Sequence, residues 1–151
     1  MVLSRLQGEI VKAGTKDVPE LFRLWSGMIK DNTTEAKIRE MVEDSRDRRD
    51  RVLLLKKNGN IEGFIAYNEK KGNGHIAGIA VKEKRRGYGS LLLEEGENEL
   101  KEGGFSCVII EVEPSNLSAI GFYIKMGYVL FGEEQDFYGK GQKAFLFKKR
   151  I

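Results

Sequence analysis

Apolar positions along this chain change period several times, and each change marks an element. Val18, Leu21, Phe22, Trp25, Met28 and Ile29 recur at the three-and-four spacing of a single helix face. Asp17 stands at the N-cap position of that helix, with Pro19 in the first turn and Glu20 at N3. A thinner stripe of Ile38, Met41 and Val42 predicts a second helix. Asn32 and Glu35 form its capping box, and the alternating charges of DSRDRRDR, residues 44–51, end it. EIVKA (9–13) reads as a short first strand. VLLLKK (52–57) and IEGFIAY (61–67) read as strands about an Asn58-Gly59-Asn60 hairpin turn. KKGNG (70–74) then turns the chain into HIAGIAV (75–81), which completes an antiparallel meander.

The second half alternates helix and strand. A helix over about 88–102 carries Leu92, Gly96 and Leu100 on one face and stops at Gly103-Gly104. A glycine in mid-helix costs about 1 kcal/mol against alanine, so Gly96 predicts close packing on a sheet. FSCVIIEV (105–112) reads as a buried strand. A crossover through a helix makes it parallel to 75–81. Pro114 and Ser115 open a last helix, with Ala119, Phe122, Tyr123 and Met126 turned inward and Gly127 closing it. YVLF and KAFLF are final strands joined by an acidic loop, 132–142. The order β-α-α-β-β-β-α-β-α-β-β predicts a single mixed α/β domain spanning 1–151.

Composition narrows the chemistry. Of 151 residues, 40% are apolar, enough for a full core, and the net charge of +3 is too small to argue for nucleic acid. DSRDRRDR suits a solvated surface, because a nucleic-acid footprint would lack the interspersed aspartates. A nucleic-acid partner is therefore not expected. One cysteine, Cys107 in the apolar CVII, excludes an internal disulfide or a cysteine-based zinc site and reads as a buried, inert thiol. One histidine, His75, excludes a multi-histidine metal site, and a Ser-His-Asp triad has no other candidate. No metal is expected. No apolar run approaches the roughly 18 residues of a membrane span, and MVLSRLQGEIVKAG lacks a signal-peptide core, so the expected setting is cytoplasmic with no membrane partner.

Two segments carry candidate chemistry. KRRGYGS, residues 84–90, sets three positive charges against a Gly-x-Gly turn between a strand and a helix. Gly87 and Gly89 let backbone N–H groups approach a ligand, and the helix start adds positive potential suited to a pyrophosphate. A solvated basic turn is the plain alternative. No P-loop sequence is present, which argues against nucleotide hydrolysis. Gly139-Lys140-Gly141-Gln142-Lys143-Ala144 matches the loose dinucleotide pattern, but a strand follows it instead of a helix. The second segment is IEVEPSNLSAIGFYIKMGY, residues 110–128. Glu111 interrupts an apolar strand there, and alternation places it on one face with Ile109 and Glu113.

Together the two segments resemble the paired motifs of the GCN5-related N-acetyltransferases. Glu111-Val112, Asn116, Ala119-Ile120, Tyr123 and Gly127-Tyr128 fall at that family's spacing, and IAVKEKRRGYGSLLL is similar to its pyrophosphate loop. Lys84 stands where the family has Gln or Arg, and the link from Val81 to the glycines is short. The nearest flavour is the protein N-terminal acetyltransferases that modify ribosomal proteins. The resemblance implies a mixed sheet of about seven strands flanked by about four helices. It also implies acetyl transfer from acetyl-CoA to an amine by direct attack in a ternary complex.

The implied roles attach to particular residues. Ile79, Ala80 and Val81 correspond to the strand whose backbone holds the pantetheine arm. Lys84, Arg85, Arg86, Gly87, Tyr88, Gly89 and Ser90 would wrap the pyrophosphate. Asn116 would bond the pantetheine arm, or serve as a helix N-cap, or both. Tyr123 would donate to the departing sulfur; its plain alternative is core packing. Glu111 would be the general base, with desolvation raising its pKa, or else a structural acid paired with a Lys or Arg. Glu62 is a weaker alternative base. Met28, Tyr138 and the 132–142 loop are candidates for the acceptor pocket. The expected acceptor is a protein or peptide N-terminal α-amine. A small amine such as a polyamine, and a catalytically silent CoA-binding domain, are the alternatives. A homodimer is compatible with the sequence, which does not specify oligomeric state.

Overall fold

VLLL is an unbroken apolar run because its strand is buried on both faces. The structure, a computed structural model, describes residues 2–3, 8–29, 31–43 and 50–151. Residues 44–49 of the charged DSRDRRDR run lie outside that set. Within β3 (Arg51–Lys57), Val52 and Leu54 pack with Val18, Leu21, Trp25 and Ile38 from α1 (Val18–Met28) and α2 (Glu35–Glu43). Leu53 and Leu55 belong to the opposite layer, with Leu92, Leu93 and Leu100 of α3 (Tyr88–Glu102). The sheet is thus the middle of three layers.

It has eight strands, in spatial order β1-β2-β3-β4-β5-β6-β8-β7. Besides β3 these are β1 (Val2–Leu3), β2 (Gly8–Lys12), β4 (Asn60–Lys70), β5 (Asn73–Val81), β6 (Cys107–Val112), β7 (Val129–Gly139) and β8 (Gln142–Arg150). The two-residue β1 has no periodic signature and accounts for the strand beyond the expected seven. Helix α4 (Leu117–Lys125) lies with α3 on one face, its Tyr123 in the same buried cluster as Leu92. The Asn58-Gly59 turn takes positive φ at both residues, 53° and 80°, the geometry that matches the twist of a hairpin. Gly96 meets its expectation. A Cβ there would fall 2.7 Å from Ile65 Cδ1, so α3 sits directly on β4.

Three local expectations are corrected. Asp17 occupies the N-cap position of α1, but its carboxylate makes no capping bond. It turns back to accept from Gly14 N at 2.8 Å and Lys56 Nζ at 2.8 Å, fastening α1 to β3. The second helix is capped by Thr34, whose Oγ1 accepts from Lys37 N, and not by Asn32. The 132–142 stretch is mostly strand: β7 runs to Gly139 and meets β8 across a tight turn. Its pattern was hidden because β7 is an edge strand, exposed along much of its length, and is bulged twice.

The crossover from β5 to β6 is parallel, as expected, but only Gly74↔Val108 and His75↔Ile109 are paired. The cause lies on the other side of β5. Against β4 the partners run Ala66↔Gly78 and then Tyr67↔Ile76, which leaves Ala77 as an extra residue. A bulge bends its strand. This one sits at Ala77, with only Ile76 between it and the last β5–β6 pair, where the two strands part.

Lower in the α3 layer a buried carboxylate joins three elements. Glu97 Oε2 accepts from Tyr128 Oη at 2.7 Å, and its Oε1 accepts from Lys149 Nζ at 3.0 Å. Removing one donor leaves a buried acceptor short of a partner, at a cost of about 1–3 kcal/mol. Tyr128→Phe should therefore lower the unfolding free energy by that amount in urea titrations. An unchanged midpoint would show that Lys149 alone satisfies Glu97.

Candidate active site

Where β5 and β6 part, a cleft of about 1040 Å³ opens between them. Ile79 lines it from β5, Glu111 and Glu113 from β6 and its end, Asn116 and Tyr123 from the α4 side, and Tyr138 from β7. Helix α1 reaches its rim because Gly78 offers no side chain: a Cβ there would meet Trp25 and Ile29 at 3.0–3.1 Å. Trp25 stacks on Phe64, with ring centroids 4.9 Å apart, and donates its Nε1 hydrogen to Asp31 at the cleft edge. Alternation in β6 is as expected. Val108, Ile110 and Val112 are buried in the α3 layer, and Glu111 faces the α1 side. Tyr123 comes from the α4 side, so the splay lets groups from both faces of the sheet meet.

Glu111 is fully engaged. Its Oε1 lies 2.7 Å from His75 Nε2, and its Oε2 accepts from Lys70 Nζ at 3.3 Å. Lys70 also lies over the Phe137 ring, 5.2 Å from its centroid, which ties β4 to the β7 hairpin. Burial alone would raise the Glu111 pKa. The His75 hydrogen bond and charge, with Lys70 behind them, outweigh burial and hold the carboxyl below its ordinary value of 4.5. The expectation of a pKa raised towards neutrality is thus overturned, because desolvation was weighed without the two basic groups on neighbouring strands. His75 was missed as a site residue. The parallel crossover did place its strand beside Glu111, but the register that brings them together is not legible from spacing.

Tyr123 is 5% exposed, and its hydroxyl makes no hydrogen bond among the described residues. Burial, and secondarily Tyr138, push its pKa well above the usual tyrosine value, so the ring keeps its proton. Tyr138 is itself pushed up to about 12 by burial and by the carboxylates of Glu111, Glu113 and Asp31. Asn116 caps α4, its Oδ1 accepting from Ala119 N at 3.1 Å, which leaves its amide N–H groups for a ligand. Met28 also lines the cleft. Glu62 does not; it lies beside Leu55 and Tyr88.

The basic turn sits beyond the end of β5, outside the cleft lining. Gly87 precedes α3 at φ 79°, a conformation glycine adopts without strain. The first bond of α3 runs from Leu91 N to Gly87 O, so the N–H groups of Tyr88, Gly89 and Ser90 have no partner among the described residues. Arg86 pairs with Glu83 at 3.2 Å, whereas Lys84 and Arg85 have no ion-pair partner among those residues. The Tyr88 side chain is buried in the core, so this residue can offer a ligand only its backbone. On β5, Ile79 lines the cleft and Ala80 and Val81 remain paired to β4. The opposite edge of the strand, towards β6, is unpaired past His75. Free amides at a helix start and a free strand edge are donors and acceptors of the kind an amide-rich, pyrophosphate-bearing acyl carrier needs.

A sheet whose adjacent parallel strands part over a cleft, with a phosphate-ready helix start beyond, defines an acyl-CoA N-acyltransferase architecture. The chain belongs to the Acetyltransferase (GNAT) family, whose sequence profile matches residues 18–128. Acetyl transfer from acetyl-CoA is the activity class of that family. An uncharacterized N-acetyltransferase of Methanocaldococcus jannaschii is 35% identical over 95 residues, a stretch covering 61% of this chain and 61% of that protein. In fold, the chain is similar to Ard1 of Thermoplasma volcanium, with TM-score 0.85, 24% identity, and 96% and 98% of the two chains covered. It is also similar to the ribosomal-protein-S18-alanine N-acetyltransferase of Escherichia coli, with TM-score 0.80, 23% identity, and 95% and 94% covered.

The ion pairs of Glu111 have a pH signature. A carboxyl held below 4.5 in the folded state contributes stability that is fully present above that value and is lost as pH falls through the lower folded value. Glu111→Gln should therefore be less stable than wild type at neutral pH, and the gap should close below pH 4.5. Denaturant midpoints across pH would read this directly. A gap independent of pH would mean the pairs contribute no stability through ionisation.

Proposed function

We propose that this acetyltransferase acts on the α-amine of a protein or peptide N-terminus. The observation that carries this reading is the depressed proton affinity of Glu111. A carboxylate held anionic by His75 and Lys70 attracts an ammonium group but is a weak base. The acceptor must then arrive partly deprotonated. At pH 7 about a tenth of an α-amine is free, against roughly one lysine side chain in 2,500. The chemistry of this cleft therefore discriminates by how easily the acceptor loses its own proton.

Acetyl-CoA supplies the acetyl thioester. The free N–H groups of residues 88–90, with Lys84 and Arg85, hold the pyrophosphate, and the unpaired edge of β5 with the Asn116 amide positions the arm. The free amine nitrogen bonds to the acetyl carbonyl carbon, the carbon–sulfur bond breaks with its electron pair leaving on sulfur as the CoA thiolate, and the surplus amine proton passes to solvent water at the open cleft. Tyr123 keeps its proton at working pH and is a weaker acid than a thiol. Its part is to donate a hydrogen bond to the sulfur as negative charge develops there.

One observation favours a second acceptor class. Asp31, Asp50, Glu111 and Glu113 all line the cleft, against Lys37 and Lys70, which would suit a small polycationic amine. Release of free CoA thiol, measured with N-terminal peptides, lysine peptides and polyamines, separates these readings. Turnover should be greatest on the N-terminal peptides, and Tyr123→Phe should lower kcat roughly 10²-fold with acetyl-CoA affinity unchanged. Turnover confined to polyamines would transfer the assignment to them. Tight CoA binding with no turnover on any acceptor would favour a silent binding domain.

A further inference from the structure

The contacts of His75 continue along the cleft wall, away from Glu111. Its Nδ1 lies 2.7 Å from Asn68 Oδ1 on β4, and Asn68 Nδ2 lies 2.8 Å from Asp50 Oδ1, just before β3. Hydrogen-bonding capacity fixes the direction of every link. A carboxylate only accepts, so Asp50 requires the amide nitrogen of Asn68 and turns the amide oxygen towards the ring. That oxygen only accepts, so Nδ1 must carry a hydrogen. On the other side the Glu111 carboxylate only accepts, so Nε2 must carry one too. A ring caught between two acceptors is satisfied when both nitrogens are protonated.

We infer that Asp50 and Asn68 are positioning residues that keep His75 doubly protonated, and through that cation keep Glu111 an anion aimed into the cleft. Both residues line the cleft, and in this scheme they act through His75. The other groups about the pair are accounted for. Lys70 on β4 adds a second cation at Oε2, the Arg51 guanidinium donates to the Asp50 carbonyl, and Glu113, Asp31 and Tyr138 face the cleft side. With Asp50 made neutral, the Asn68 amide is free to turn and present its NH₂ to Nδ1. A neutral ring can then accept there while its Nε2–H still donates to Glu111, so the hydrogen bond survives and the charge does not.

This rests on the acetyltransferase reading for its catalytic consequence, but its primary test does not. His75 is the single histidine of the chain, so its ring nitrogens give unambiguous ¹⁵N signals in the full-length protein. Wild type at neutral pH should show both nitrogens protonated. Asp50→Asn, which is isosteric, should show a neutral ring with its proton on Nε2. Asn68→Leu, with Asp50 left in place, should do the same and guards against a folding artefact in the first variant. In Asn68→Leu, which loses the His75 cation and keeps the Asp50 carboxylate, the acceptor-amine KM should also fall roughly threefold to tenfold with the acetyl-CoA KM unchanged, whereas Asp50→Asn, which loses one charge of each sign, should leave both nearly unchanged. A neutral wild-type ring, or an identical ring state in wild type and both variants, overturns the inference. The expected ring states with no acetylation of any amine would leave it standing and sink the acceptor assignment instead.

Discussion

The site depends on one extra residue. Ala77 has no partner opposite it on β4, and the bulge it makes bends β5 away from β6 after only two paired positions. Without that bend the two parallel strands would continue side by side, and their edges would be spent on each other. With it, an unpaired strand edge and a cleft appear together in the middle of an otherwise continuously paired sheet. Groups from opposite layers, Glu111 from the α1 side and Tyr123 from the α4 side, then line one space. The neighbouring glycine serves the same geometry. Gly78 lets Trp25 and Ile29 close onto the strand, which carries the start of the α1–α2 connection and Asp31 to the rim.

Electrostatics inside the cleft follow from which strands the bulge leaves adjacent. The last paired residue of β5 is His75, so it is the side chain held nearest β6 as the strands part, and Glu111 meets it two positions past Ile109. A buried carboxylate with no partner would take up a proton. Supplied with two cations it remains charged, and its carboxyl group becomes an anchor for ammonium more than a proton acceptor. Tyr123 shows the complementary case. Burial without a hydrogen-bond partner keeps its proton in place, and a neutral donor facing a cleft is suited to a group that gains negative charge as it leaves.

Much of this was legible in the chain, for reasons that differ by element. Two-sided burial wrote β3 as VLLL, the Asn-Gly turn marked its hairpin, and Gly96 recorded how closely α3 approaches β4. The motif about Asn116 and Tyr123 was visible through its resemblance to the family's, since its residues are contiguous in the chain; spacing alone offered only a helix N-cap and an inward aromatic. What stayed hidden was lateral. Periodicity along a strand says which face a residue takes, not which residue stands beside it on the next strand. Glu111 was therefore seen, while His75 and Lys70 were not, and its pKa was expected to move in the direction that burial alone would drive it. The part of edge strand β7 past Phe131 was read as loop for a related reason: exposed on both sides over much of its length, it has no burial pattern to betray it.

The same reasoning explains why the phosphate end and the reacting end of the site were legible to different degrees. Residues 84–90 act through consecutive backbone amides and a helix start, so their capacity is written locally, in a Gly-x-Gly turn ahead of a Leu run. Only the Tyr88 side chain belongs elsewhere, in the core. The reacting end is assembled from the end of β4, from β5, from the end of β6, and from α4 and β7, so its polar groups come from separate stretches of the chain. No single stretch could carry its signature, and the proton affinities that govern its chemistry belong to the assembly. A substitution at Asn68, far along the chain from Glu111, can therefore alter the charge presented to the acceptor without touching the turn that holds the donor.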